Sequence, residues 1–135
     1  MTTTSVGEAA NLVRLVFERA NANDSDGVVA ICDPEIVFND VAEIPGSTMY
    51  EGHDGMREWL RTVHEISDDL NLQIWGMAER GGSVLVETSA EMHGKASGAE
   101  VEWRFWTVWR CRNGLIHYHH GYSDREQAVA DFERG

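Results

Sequence analysis

The spacing of apolar residues changes about half-way along the chain. Up to Ile66 they recur every three or four positions; from Leu70 onward they alternate. Leu12, Leu15, Val16 and Ala20 predict a helix over about Val6 to Asn21, with Ser5 and Glu8 in the form of a capping box. Asp24 predicts the cap of a shorter helix carrying Val28, Val29, Ile31 and Cys32, which Asp33-Pro34 would end. Glu35 to Asp40 reads as a short strand, and Val41 to Thr48, with Pro45-Gly46, as a loop suited to act as a lid. Met56, Trp59, Leu60 and Val63 share one face of a third helix near Asp54 to Ile66.

Period two then predicts strands over Leu70–Glu79, Ser83–His93, Ala99–Arg112 and Leu115–Tyr122. Gly81-Gly82, Gly94 to Gly98 and Asn113-Gly114 separate them, the last being a preferred tight-hairpin dipeptide. Ser123 or Asp124 caps a terminal helix bearing Ala128, Val129 and Phe132. Helices followed by an antiparallel meander predict one α+β domain spanning residues 1–135, cone-shaped, with three N-terminal helices on the concave face of a curved sheet and a short C-terminal helix.

On the strand from Ala99, one face carries Val101, Trp103, Phe105, Thr107, Trp109 and Cys111, read as the wall of a pocket. The opposite face carries Trp106 and Val108 among charges, and a homodimer formed through the sheet is expected to cover it.

At 135 residues, 42% apolar and 25% charged, the chain has the size and composition of one folded domain. Five Trp in so short a chain suggest a wide aromatic-lined interior. A formal charge of −12, from 23 acidic against 11 basic side chains, repels polyphosphates and argues against nucleic acid as a partner. No stretch has the length of a membrane span and Met1 to Gly7 lacks a targeting pattern, so a cytoplasmic location is expected. Cys32 and Cys111 are far apart and read as buried thiols.

Several motifs resemble the nuclear-transport-factor-like superfamily (a cystatin-like fold), most closely its SnoaL-like and ketosteroid-isomerase-like branch. They are Asn21-Ala-Asn-Asp24, Asp33-Pro-Glu-Ile-Val-Phe38, Tyr50-Glu-Gly52-His-Asp-Gly-Met-Arg-Glu-Trp59, Arg110-Cys-Arg-Asn-Gly114-Leu-Ile116 and Tyr122-Ser-Asp124-Arg-Glu-Gln-Ala128. The resemblance covers nearly the whole chain and implies a pocket for a small hydrophobic ligand without a cofactor. It is weak for activity, because the fold hosts isomerases, hydrolases, cyclases, dehydratases and non-catalytic binders.

Asp40 resembles the isomerase general base in position. If Phe38 points inward, alternation points Asp40 inward too, where an apolar wall raises a carboxyl pKa and suits proton transfer beside a carbonyl; a loop-capping role is the structural alternative. The rest of the family's machinery is missing. The isomerase Tyr and protonated acid fall near Val16 or Phe17 and on Thr107, the hydrolase's Arg and Asp near Thr88 and Ala90, and the cyclase acid on Gly121.

In His117-Tyr-His119-His120-Gly121-Tyr122, alternation puts His117, His119 and Gly121 on one face. A neutral imidazole can exchange protons near pH 7, so His119 is the expected counterpart of Asp40, with His120 replacing it if a bulge reverses the faces. His117 and His119 have the spacing of a metal clasp, but a third ligand would have to be Asp40 or His93, so no metal is assigned.

Phe17, Phe38, Tyr50, Trp103, Phe105, Trp109 and His117 are expected to contact the ligand, while His53, Asp54, Trp59 and Trp75 are assigned to structure. The function expected is binding of a small hydrophobic carbonyl compound, polyketide-, steroid- or terpenoid-like, with proton-transfer isomerisation or cyclisation. The alternative is a non-catalytic ligand-binding or dimeric interaction domain with a degenerate site.

Overall fold

A computed structural model describes residues 7–40, 49–67, 69–93 and 100–135. Ser5, the proposed lid over Val41 to Thr48, and the Gly94 to Gly98 connection lie outside the described residues. In chain order the elements are α1 (Glu8–Asn21), α2 (Ser25–Val29), β1 (Cys32–Asn39), β2 (Met49–Glu51), α3 (Gly52–Ile66), β3 (Asn71–Arg80), β4 (Ser83–His93), β5 (Glu100–Arg112), β6 (Leu115–Tyr122) and α4 (Arg125–Arg134).

The six strands form one sheet in the order β2-β1-β6-β5-β4-β3. Strands β3 to β6 are the expected antiparallel meander, and its turns at Gly81-Gly82 and Asn113-Gly114 have left-handed backbone. The sheet as a whole is mixed, because β1 runs parallel to β6, with Phe38 beside His119. That pairing needs a long connection, and α3 with the meander provides it.

The buried stripe of α1 is Ala9, Val13, Val16, Phe17 and Ala20, one step round from the predicted Leu12 and Leu15, which are half-buried. Its first turn is held from β3, where the Glu79 carboxylate accepts from the Gly7 and Ala10 amides at 2.9 Å each. At the other end of α1 the Asn21 amide exchanges two hydrogen bonds with the Leu72 backbone, 2.7 and 3.0 Å, closing part of the free edge of β3. Asp24 caps α2 by accepting from the Gly27 amide at 3.0 Å. The helix is shorter than predicted, since Cys32 already belongs to β1.

A continuous apolar core joins α1 and α3 to the concave face of the sheet through Val16, Phe17, Phe38, Trp59, Leu60, Val86 and Trp109. Helix α4, capped by Asp124 through the Glu126 amide, packs against the opposite face. There Asp131 accepts from Tyr118 Oη at 2.6 Å, Tyr122 Oη at 2.7 Å and the Arg110 guanidinium at 2.8 Å. Val108, on the face expected to need a second chain, is fully buried within one chain on the side that α4 covers. What stays open on that face is Trp75, 49% exposed, with the Arg104 guanidinium stacked 4.3 Å above it and its Nε1 donating to Ser89 Oγ.

Candidate functional site

Between α1, α3 and the concave face lies one narrow cavity of about 50 Å³. Phe17, Phe38, Trp109 and His119 close its inner end, Thr88, Ala90, Phe105 and Thr107 form the sheet wall, and Trp59, Val63, Ile66 and Met92 complete the lining, Ile66 being the exposed one. Its walls are almost wholly apolar, and Asp40, His119, Thr88 and Thr107 supply the polar side chains.

Alternation along β1 buries Cys32, Ile36 and Phe38, and the same period turns Asp40, the next inward residue, to the cavity. Its carboxylate is held from α3, where Trp59 Nε1 donates to Asp40 Oδ2 at 3.1 Å. Burial raises the Tyr50 hydroxyl pKa; the Thr62 hydrogen bond opposes this, and the nearby negative charges of Asp40 and Glu58 add to it.

His119 is 3% exposed. Its ring stacks on Phe38 at 3.8 Å and 15°, and meets Trp109 at 4.3 Å and 60°. Burial pushes the imidazole pKa down to about 3, with His120 acting in the same direction and a hydrogen bond to the Asn39 backbone and the charge of Asp131 opposing. At neutral pH this ring is uncharged, so it can accept or direct a hydrogen bond but is a poor store for a proton. Its Nδ1 is buried without a hydrogen-bond partner.

A bulge decides which histidine faces inward. The register of β5 against β6 slips between Arg110 and Cys111, so Cys111 pairs with Ile116 and Arg110 with Tyr118. Ile116, His119 and Gly121 are therefore the buried positions of β6, and His117, expected on the His119 face, is left off the cavity. Burial lowers the His117 pKa, Arg112 and Arg110 add to this, and Asp33 opposes it. The bulge also separates the two rings of the supposed metal clasp, while His93 lies at the surface with Nε2 3.0 Å from Glu100. Among the described residues no three His, Cys, Asp or Glu side chains gather as a metal set.

Asp40, His119, Phe17, Phe38, Phe105 and Trp109 all line the cavity, as expected. Trp103 and Tyr50 do not: Trp103 packs half-buried beside Phe105 and Ala90, and Tyr50 is buried edge-on behind Phe38 at 6.3 Å. His53, assigned to structure, ties α3 to β1, its Nε2 meeting the Cys32 carbonyl at 2.8 Å. Trp59, assigned to packing alone, is the residue missed. Its helical face was legible; the available signal was that a buried indole N–H needs an acceptor, and Asp40 is a pocket acceptor. Both cysteines are free and buried, and burial pushes each thiol up to about 12.

A family profile described as a SnoaL-like domain matches residues 13–119, most of the chain and every cavity residue. The chain belongs to the SnoaL-like domain family. An NTF2-like protein from Burkholderia thailandensis E264 shares this SnoaL-like fold at TM-score 0.77 and 20% identity, over 100% of both chains. A hypothetical protein with a ketosteroid isomerase-like fold from Catenulispora acidiphila DSM 44928, in complex with trimethylamine, has TM-score 0.75 and 13% identity, covering 90% of this chain and 92% of its own. An LEH-like epoxide hydrolase of M. tuberculosis has TM-score 0.70 and 20% identity, over 95% of this chain and 91% of its own. No curated protein matches this chain in sequence. Among the described residues no helix is long and apolar enough to cross a membrane.

Proposed function

We propose that this SnoaL-like domain binds a small hydrophobic carbonyl compound, polyketide-, steroid- or terpenoid-like, in the cone and moves a proton on it, as an isomerase or cyclase does. The observation that carries the reading is a carboxylate, Asp40, held by an indole N–H at the wall of an otherwise apolar cavity whose inner end is a neutral imidazole. Asp40 takes the proton from the carbon next to the carbonyl, and the fixed aromatic rings orient that carbon. His119 serves as a hydrogen-bonding and positioning group rather than as the acid, because charging it inside the cavity is costly. No cofactor enters this chemistry.

Hydrolysis of epoxides by an Arg-Asp pair is not proposed, since Thr88 and Ala90 stand in the wall where the resemblance puts those residues. The fold alone leaves the ligand open: one neighbour holds trimethylamine and another is an LEH-like epoxide hydrolase.

The test is exchange of the α-protons of hydrophobic ketones such as 2-tetralone into deuterated buffer. Wild type should accelerate exchange over buffer, and Asp40→Asn should remove about 100-fold of the acceleration or more. A ketone that binds without accelerated exchange would leave the second reading, a non-catalytic ligand-binding or dimeric interaction domain. The narrowness of the cavity favours that second reading: about 50 Å³ against the ~300 Å³ or more typical of drug-sized ligands, so a polycyclic guest has to part the rim.

A further inference from the structure

The wall that α3 gives the cavity is fastened differently at its two ends. Trp59, Val63 and Ile66 form that wall as one stripe of the helix, and Thr88, Ala90 and Met92 line the cavity from alternate positions of β4. Near Trp59 the helix is tied to the β1 side of the sheet. Trp59 donates to Asp40, His53 Nε2 meets the Cys32 carbonyl at 2.8 Å, and Gly55 lies so close to Tyr50 that a Cβ there would stand 3.1 Å from the Tyr50 backbone.

At the other end Ser67 leaves the helix with extended backbone, φ −131° and ψ 135°, in an isolated β-bridge, and is 1% exposed. Its Oγ accepts from the His93 amide at 3.0 Å and from the Asp69 amide at 3.2 Å. The first of these joins the end of α3 to the end of β4. The His93 ring also stands 3.8 Å from the Asp69 carboxylate, an exposed ion pair that adds little. On the other side of the same turn, His64 Nε2 meets the Ala20 carbonyl at 2.8 Å and keeps it against α1.

This fastening sits where the cavity meets solvent. Ser67 follows Ile66 and His93 follows Met92, both of which line the cavity; Ile66 is 36% exposed, while Met92 is buried. The inner wall is pinned within the sheet, since Trp109 donates to Thr107 at 2.8 Å and Thr88 to the Gln73 carbonyl at 2.6 Å. A cavity of about 50 Å³ has to widen to admit a ring, and a helix end beside solvent opens more readily than a buried sheet face.

We propose that Ser67 is the catch of a gate: the ligand enters between Ile66 and Met92 when the Ser67 hydroxyl releases the His93 amide and the end of α3 lifts from β4. This rests on the reading of the cavity as a ligand site and adds how that site is reached. A catch that is closed in both the free and the bound domain governs the rates of entry and exit and leaves the affinity alone.

The probe is 2-tetralone, mixed with the full chain and followed by stopped-flow tryptophan fluorescence. Ser67→Ala should speed association and dissociation about tenfold each, the equivalent of about 1.4 kcal/mol, with Kd within threefold of wild type. Glu79→Ala, which also deprives two amides of their acceptor but at the far end of α1, should leave both rates within twofold. Wild-type hydrogen exchange gives a reading without any substitution: the Ile66 and Ser67 amides should exchange at least tenfold faster than that of Leu60. Unchanged rates in Ser67→Ala, equal acceleration in Glu79→Ala, or an Ile66 amide as protected as Leu60 overturns the gate and leaves the ligand site standing. A wild type that binds no 2-tetralone at millimolar concentration overturns both.

Discussion

Trp59 Nε1 donates to Asp40 Oδ2 across 3.1 Å, which ties the inward face of α3 to the residue just beyond β1. Trp59 is 6% exposed and its ring lies 4.7 Å from that of Phe38, so the same indole packs the core and holds the carboxylate. Trp59→Phe should keep most of the packing and lose the hydrogen bond, lowering stability by about 1–2 kcal/mol. Trp59→Ala should lose about 3–5 kcal/mol. Asp40→Asn keeps an acceptor for the indole, and its denaturant midpoint should stay close to wild type. Urea unfolding of the three variants checks the order; Asp40→Asn as damaging as Trp59→Ala would show that Asp40 is structural.

His119 makes stability depend on mild acid. An unfolded chain takes up a proton below about 6.5, which the folded chain refuses until about 3, so lowering the pH through that window favours unfolding. In His119→Phe this slope should flatten. Urea midpoints between pH 4 and 7 would show it, and the His119 ring resonances of wild type should not titrate in that range.

Asp131 acts at lower pH. Burial raises its pKa, but hydrogen bonds from Tyr118, Tyr122 and Arg110 outweigh burial and hold it below the ordinary 3.8. Its stabilisation is present above the unfolded value and is lost as pH falls through the folded one. Asp131→Asn leaves Arg110 without its charge partner and should cost about 2–3 kcal/mol at pH 7, measured by urea unfolding. An unchanged midpoint would mean that α4 is held by apolar contacts alone.

Helix α4 covers Val108, so a sheet-to-sheet homodimer would rest on the open part of that face around Trp75 and Arg104. Sedimentation should then give twice the 15.1 kDa chain mass, and Trp75→Glu should halve it. A monomeric wild type removes the dimer proposal.

The period change at Leu70 announced the helix–sheet division, and alternation through Phe38 placed Asp40 correctly. Alternation failed where the chain slips register. The bulge before His119 detached His117 from it, and the irregularity in β3 between Ile74 and Gly76 falls at Trp75, which lies exposed on the outer face. Period-two patterns carry no signal for one extra residue. Parallel pairing of β1 with β6 and the reach of α4 over Val108 are tertiary choices that local spacing does not encode. The low pKa of His119 likewise depends on Phe38 and Trp109 closing over the ring, which no spacing within β6 reveals.

Intermolecular nuclear Overhauser contacts between 2-tetralone and the indole protons of the labelled domain test the ligand cavity most directly. A ketone bound in the cone should give contacts to both Trp59 and Trp109, the tryptophans beside Asp40 and His119, and none to Trp75 on the outer face. Contacts to Trp75 alone, with Trp59 and Trp109 silent at saturation, would contradict it.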